Sequence, residues 1–95
     1  FLYLQQSIRE GTAWIIFEPS NEQIWARTAQ SVENFLNDEW RKGALMGTKP
    51  EEAYFVKMDH ETMSNYDLEQ GKRILMFGVA PIKPAEFIVS SVIHE

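Results

Sequence analysis

Histidine is the side chain most often used for proton transfer and metal binding near neutral pH, and this chain has two, His60 and His94. Asp59, His60 and Glu61 stand in a row, and each could bind a metal ion or move a proton. Successive residues of a loop or strand point in different directions, however, so these three cannot converge on one ion. His94 lies one residue from the end of the sequence, where fraying is expected. The sequence therefore predicts neither a metal site nor a catalytic histidine.

Other nucleophiles and phosphate-binding motifs are equally unsupported. The chain has no cysteine, which excludes disulfides, thiolate nucleophiles and thiolate zinc sites. No serine lies in a Gly-x-Ser-x-Gly elbow. Gly43 and Gly47 come after a predicted helix and lack the Lys-Ser/Thr ending of a phosphate-binding loop.

Neighbouring carboxylates have structural interpretations. Asp38 and Glu39 are expected on a solvated helix face, and Glu51 and Glu52 in a first helical turn, where the helix dipole favours acidic side chains. We therefore predict a protein that is not an enzyme and that uses no cofactor and no metal. A small hydrolase is the alternative, and it would need a site that the sequence does not contain.

The length and net charge of the chain limit the classes of protein to which it can belong. A chain of 95 residues is one small domain, and its nine Lys and Arg against fourteen Asp and Glu give a net charge of −5. This acidic balance argues against a nucleic-acid surface, and no apolar run is long enough to span a membrane. Since the first residue is Phe1, we expect residues 1–95 to be a domain excised from a longer protein.

Apolar spacing predicts the elements of the first half. Phe1, Leu4 and Ile8 lie at helical spacing and Gly11 follows as a stop signal, whereas residues 13–17 form a short apolar run typical of a strand buried on both faces.

A long helix should begin after Ser20, which makes a capping box with Gln23, and end near Lys42, with Gly43 in the left-handed position. It carries one apolar stripe at steps of three and four, which we expect to face the core: Trp25, Ala29, Val32, Leu36 and Trp40.

The second half is predicted to be mainly extended. A capping box of Thr48 with Glu51 should begin a short turn before a strand over residues 54–58, and residues 59–72 should form a long exposed loop. A buried strand follows over residues 74–80. The fold class is α+β, with a small, mostly antiparallel sheet packed against one long helix and an extended C-terminal strand arm.

The segment over residues 86–94 is apolar on both faces, and Pro81 and Pro84 make a rigid corner before it. An unpaired apolar strand invites association with other chains. The segment thus either completes its own sheet or completes a neighbour's.

Several motifs together resemble one known family. They stand in the same order along nearly the whole chain: Phe17-Glu18-Pro19, Ile24-Trp25, Gly43-Ala44-Leu45 with Gly47, Glu52-Ala53-Tyr54-Phe55-Val56, and Gly78-Val79-Ala80-Pro81-Ile82-Lys83-Pro84-Ala85-Glu86-Phe87. The chain resembles the C-terminal domain of contractile tail sheath proteins, found in contractile phage tails, R-type bacteriocins and related injection systems. Ser20 departs from the family's usual Asn, although either residue can cap a helix.

The resemblance implies a structural, non-enzymatic role. Sheath subunits stack as sixfold rings into a helical sleeve around an inner tube, and the sleeve contracts to drive the tube through a cell envelope. The implied partners are other copies of the subunit and the inner tube protein, with no nucleic acid and no membrane insertion. Assembly would take place in the bacterial cytoplasm, and the product would be part of a virion tail or a phage-tail-like particle.

The resemblance also implies that residues 86–94 match the C-terminal arm, which adds a strand to a neighbour's sheet, so that the rest of the domain should fold without it. The inter-subunit strand would comprise Glu86, Phe87, Ile88, Val89, Ser90, Ser91, Val92 and Ile93. As the inner domain of a sheath, the chain would face the tube, and the candidate tube contacts are Arg41, Lys42 and Lys49. A solvated, dipole-matched helix end is the alternative for these cations. A stand-alone interaction module using strand addition is the alternative for the chain as a whole.

Overall fold

The fold is described here from a computed structural model that covers all 95 residues. Its elements, in chain order, are α1 (Leu2–Gly11), a 3-10 helix (Ala13–Phe17), α2 (Glu22–Arg41), α3 (Pro50–Ala53), β1 (Tyr54–Lys57), α4 (Asn65–Glu69), β2 (Arg73–Val79) and β3 (Ile88–His94). The three strands form one antiparallel sheet in the order β1-β2-β3. This confirms the predicted α+β class.

Helix α2 is confirmed as the longest element, with 20 residues, but its first turn is capped differently from the prediction. The Asn21 side chain accepts a hydrogen bond from the Ile24 amide at 2.9 Å, whereas the Ser20 hydroxyl accepts one from the indole of Trp25 at 3.1 Å. The predicted capping box of Ser20 with Gln23 is therefore wrong. At the other end Gly43 takes a positive φ of 88°, as predicted for a left-handed residue after a helix.

The apolar stripe of α2 faces the core, as predicted. Trp25, Val32 and Leu36 are buried, while Ala29 and Trp40 are half-buried. The facing side of the sheet is formed mainly by three buried residues of β2, Leu75, Phe77 and Val79.

Glu39 is the exception to the predicted solvated face of α2. Its side chain is buried, and it accepts a hydrogen bond from the Tyr3 hydroxyl at 3.3 Å. Asp38, one residue earlier, is exposed as expected. The prediction is wrong for Glu39 because α1 lies beside this part of α2 and covers the carboxylate.

Residues 13–17 do not form the predicted strand. They form a 3-10 helix in which Ile15 is buried and Phe17 remains 85% exposed. Backbone amides of Ile15 and Glu18 donate to the carbonyls three residues earlier. A five-residue apolar run has too few residues to separate strand from helical periodicity, and here the local helical turn prevails.

Residues 59–72 are not the predicted exposed loop either. They contain α4, whose first turn has a reciprocal capping box between Ser64 and Asp67, and they place Met63 in the core at 1% exposure. The backbone and side-chain hydrogen bonds from Ser64 lower the pKa of the Asp67 carboxyl.

The turn before α3 is closed by hydrogen bonds from Thr48. The predicted box of Thr48 with Glu51 is wrong, because the amide and hydroxyl of Thr48 both donate to Glu52, at 2.9 and 3.1 Å. These bonds lower the pKa of Glu52.

In β2, a Cβ added at Gly78 would overlap the ring of Phe55 on the neighbouring strand. This confirms the prediction that a side chain at this position would crowd a neighbour.

Candidate assembly interface

The connection from β2 to β3 is an exposed bend held at two points. The Ala85 amide donates to the Glu52 carbonyl at 2.7 Å, and the Glu86 amide donates to the Lys83 carbonyl at 3.2 Å. Ala85 has a φ of 60°, in the left-handed region that disfavours side chains with a Cβ. Such a conformation costs roughly 1–2 kcal/mol, so the bend carries strain that an extended connection would release.

Strand β3 pairs along its whole length with β2 of the same chain. The register runs from Val79 opposite Ile88 to Arg73 opposite His94. In the single chain, residues 86–94 thus adopt the intramolecular alternative rather than projecting away from the body.

One face of β3 is part of the core. Val92 is completely buried, and the Ser90 hydroxyl accepts a hydrogen bond from the Gln5 side chain of α1 at 3.3 Å. Removing residues 86–94 would therefore open the core and strip β2 of a partner strand. That the rest of the domain folds without this segment stays a prediction, and the complete burial of Val92 argues against it.

The other face of β3 is open to solvent. Val89 is 53% exposed and Ile93 is 44% exposed, and Ser91 lies between them. At the start of the segment Glu86 is exposed, while the ring of Phe87 packs edge-on against Phe55 with centroids 5.3 Å apart.

The outer edge of β3 has backbone groups that face no partner strand. The Ile74 carbonyl accepts from the Thr62 hydroxyl, and the Ile93 carbonyl accepts from the Arg9 guanidinium, so these two opposed residues direct their backbone away from each other. In an antiparallel ladder such pairs alternate with hydrogen-bonded ones, which places the backbone groups of Val89 and Ser91 on the outer edge as well. The sheet therefore ends in an edge that can accept a further strand.

The three predicted tube-contact residues are all exposed. Arg41 and Lys42 end α2, and Lys49 immediately precedes α3. The loop between them is held against the helix by the Trp40 indole, which donates to the Gly47 carbonyl at 2.9 Å. Lys42 Nζ lies 3.9 Å from the carboxylate of Glu39, whereas Arg41 and Lys49 form no ion pair and can meet an acidic partner.

The side chains of His60 and Glu61, in the segment over residues 59–61, contact different partners and do not meet at one site. The His60 ring lies 3.1 Å from the Glu22 carboxylate and packs edge-on against Trp25, while Glu61 pairs with Lys57 at 2.7 Å. This ion pair raises the pKa of Lys57. The partnership of His60 with a residue 38 positions earlier has no signal in the sequence.

The rest of the surface has no cluster of metal-binding side chains and a single depression. No three His, Cys, Asp or Glu side chains lie close enough to hold a metal ion. The one surface depression, of about 270 Å³, is open and is lined by Leu2, Gln5, Gln6 and Arg9 of α1. No helix has the length and apolar character required to cross a bilayer.

Comparison with known proteins connects this fold to a class of assemblies. No family model and no curated protein matches the chain. Among solved structures, a chain of the anti-feeding prophage baseplate is 35% identical with a TM-score of 0.79, over 98% of this chain. A chain of the PVC sheath complex, an extracellular contractile injection system in its contracted state, is 32% identical with a TM-score of 0.77, over 97% of this chain.

The match covers essentially all of this chain but only 26% of each of those chains. The fold is thus that of one domain of larger proteins from contractile injection systems. The resemblance to the contractile tail sheath family is confirmed at the level of this domain.

Proposed function

We propose that residues 1–95 are the C-terminal, inner domain of a contractile sheath subunit, with a structural rather than catalytic role. The observation that carries the proposal is the match over nearly the whole chain, at 35% and 32% identity, to chains of two contractile injection systems. In such a role the subunit polymerises around an inner tube and contracts to drive the tube through an envelope. Its partners are further copies of the subunit and the tube protein.

Strand exchange is the mode of assembly that we propose for residues 86–94. The strand leaves its own β2 and pairs with β2 of a neighbouring subunit in the same register, so that the ladder and the burial of Val92 are re-formed between two chains. Most of the free energy of pairing is the same in the closed and exchanged forms. The strained φ of Ala85 favours an extended connection and hence the exchanged form.

Strands exchanged between subunits would keep a sheath connected while its subunits move during contraction. Main-chain hydrogen bonds join the subunits independently of the surfaces that slide, while each domain body stays rigid. The exposed outer edge of β3 is a separate feature, and it leaves room for a fourth strand from another subunit.

Electron microscopy of the full-length protein is the direct test of the proposed function. Expressed with its tube protein, the protein should form long striated tubes of sheath around tube. Particles that are discrete and small at every concentration would contradict the proposal. They would favour the stand-alone interaction module, whose free edge on β3 is the observation in its support.

Charge reversal tests the proposed tube contacts. The double variant R41E/K42E should weaken assembly on tubes at low salt, and wild-type assembly should weaken as salt is raised, because both changes reduce attraction to acidic partner groups. Reversal also opposes the dipole of α2, at about 0.3–1 kcal/mol per residue, so the melting temperature of the 95-residue chain is measured in parallel.

Arg27→Glu provides the control, since Arg27 is an exposed residue of the same helix far from its C-terminal end, and because its guanidinium lies 5.7 Å from the Trp14 ring centroid its melting temperature is measured as well. It should leave assembly unchanged. Equal assembly of the control and the double variant would show that Arg41 and Lys42 are only a solvated helix end.

A further inference from the structure

The C-terminal end of β3 is joined to Thr12, the residue that follows α1, by a side-chain hydrogen bond between residues 82 positions apart. His94 Nε2 lies 2.8 Å from Thr12 Oγ1, and Thr12 is itself buried at 2% exposure. The sequence suggests that His94 frays, but the residue is half-buried on the core side of the sheet. No part of the assembly role proposed above uses this contact.

The direction of this hydrogen bond follows from the other bond of Thr12. Its hydroxyl has one proton, which it donates to the Ile8 carbonyl at 2.7 Å in the last turn of α1. The oxygen must therefore accept from His94, which fixes a proton on Nε2 of the ring.

The charged groups around His94 are cationic. Arg9 of α1 donates to the Ile93 carbonyl at 3.3 Å, and Arg73 of β2 is the direct cross-strand neighbour of His94. Arg73 in turn donates to the Gly71 and Glu18 carbonyls, each at 3.2 Å. Both guanidinium groups are thus bound to backbone oxygens, and neither forms an ion pair with a carboxylate.

No acidic side chain compensates these charges. The 3-10 helix beside the cluster has no titratable residue. On α1, the Glu10 carboxylate accepts a hydrogen bond from Gln6, and Glu95, next to His94, makes no ion pair. A positive charge on the imidazole would therefore meet two fixed cations, Arg9 and Arg73, in a partly dry environment.

We propose that His94 is an acid-sensitive clasp: the neutral ring holds the end of β3 against Thr12, and protonation at Nδ1 releases it, because the ring, although still able to donate from Nε2, then carries a positive charge beside Arg9 and Arg73. Burial, followed by the charges of Arg9 and Arg73, lowers the pKa of His94 from its ordinary value of 6.5. In the released strand that pKa returns toward 6.5. The closed state is therefore favoured in full above pH 6.5, and its advantage is lost as the pH falls from there through the lower pKa of the closed form.

Amide hydrogen exchange of the 95-residue chain tests the clasp. The amides of Val92 and His94 point toward β2, so their protection factors report the opening of this end of the strand. Between pH 7.5 and pH 5 those factors should fall by about tenfold for each pH unit that separates the pKa of the open and closed forms. The protection factors of β1 amides such as that of Phe55 should change less.

His94→Gln is the diagnostic variant, because its side-chain amide can still donate to Thr12 but does not titrate. Its protection factors should be independent of pH over the same range, while those of His60→Gln should respond as in the wild type. A pH-dependent loss in His94→Gln equal to that of the wild type would overturn the proposal. Should that variant not fold, an NMR titration of wild-type His94 decides, since a pKa at or above 6.5 would overturn the clasp and a lower one supports it.

Discussion

Replacing Trp25 by alanine is expected to lower the free energy of unfolding by about 3–5 kcal/mol, a large part of the 5–15 kcal/mol typical of a domain. The indole is 4% exposed, packs against His60 with centroids 5.0 Å apart, and donates to the Ser20 hydroxyl at the start of α2. The substitution leaves a cavity between α2 and the segment that precedes α4. It also removes the partner of Ser20.

Urea unfolding followed by circular dichroism measures the effect. Phe17→Ala is the matched control, since this large aromatic side chain is 85% exposed and its loss should change stability by no more than about 0.5 kcal/mol. Trp40→Ala should fall between the two, because Trp40 is only half-buried. If the Trp25 and Phe17 variants unfold at the same urea concentration, Trp25 is not a core residue.

A cysteine pair across β2 and β3 should give covalently linked subunits in the assembled sheath and none in the dilute single domain. Ile74 and Ile93 face each other in the register, and Ile93 is exposed while Ile74 is half-buried against the core. Their Cα atoms occupy a non-hydrogen-bonded pair, whose usual separation of about 4.5 Å suits a disulfide. Residues 1–95 contain no cysteine, and any cysteine elsewhere in the full-length protein is replaced by serine in all of these variants.

The location of the bond distinguishes closed from exchanged strands. In the double variant I74C/I93C, oxidation of the dilute 95-residue chain should close the bond within each molecule. Oxidation of assembled full-length tubes should join neighbours into a ladder of multimers on a non-reducing gel. The single variants I74C and I93C are the controls, and neither should give a ladder.

Internal disulfides alone in intact tubes would show that β3 stays in its own sheet. The proposal of strand exchange would then be withdrawn, while a sheath that assembles through the free edge of β3 would remain compatible with the same tubes.

Elements whose signals are local were predicted well from the sequence. In helix α2 the amphipathic stripe from Trp25 to Trp40 and the left-handed Gly43 after its end both agree with the sequence, although the cap is Asn21 and not the predicted Ser20. The capping box of Ser64 with Asp67 is also a local signal for α4, but the polarity of the surrounding residues led to the prediction of a loop. Residues 13–17 were mispredicted because their apolar character is compatible with either structure.

The candidate sites depend on tertiary contacts that the sequence does not encode at any fixed spacing. Thr12 and His94 are 82 positions apart, and neither is part of a motif. The burial of Glu39 likewise follows from Tyr3, which lies 36 positions away on another helix. By contrast, the exposure of Arg41, Lys42 and Lys49 could be expected from their charge alone.

The hydrogen bonds between α1 and β3 also determine when the domain can close during its synthesis. Gln5 and Ser90 are 85 residues apart, and Arg9 and Ile93 are 84 apart. At about 5–20 residues per second, a ribosome needs roughly 4–17 s to make the intervening chain. Throughout that interval α1 cannot form its hydrogen bonds with β3. Strand β2 also leaves the ribosome before its partner β3 does.

Neighbouring chains translated from one message would therefore meet while their β2 edges are unpaired. Pairing with a neighbour's β3 at this stage needs no opening of a finished sheet, so the barrier to exchange is lowest before the domain first closes. In the strand exchange proposed above, the order of synthesis, in addition to the stability of the folded domain, would thus influence how readily strands are shared.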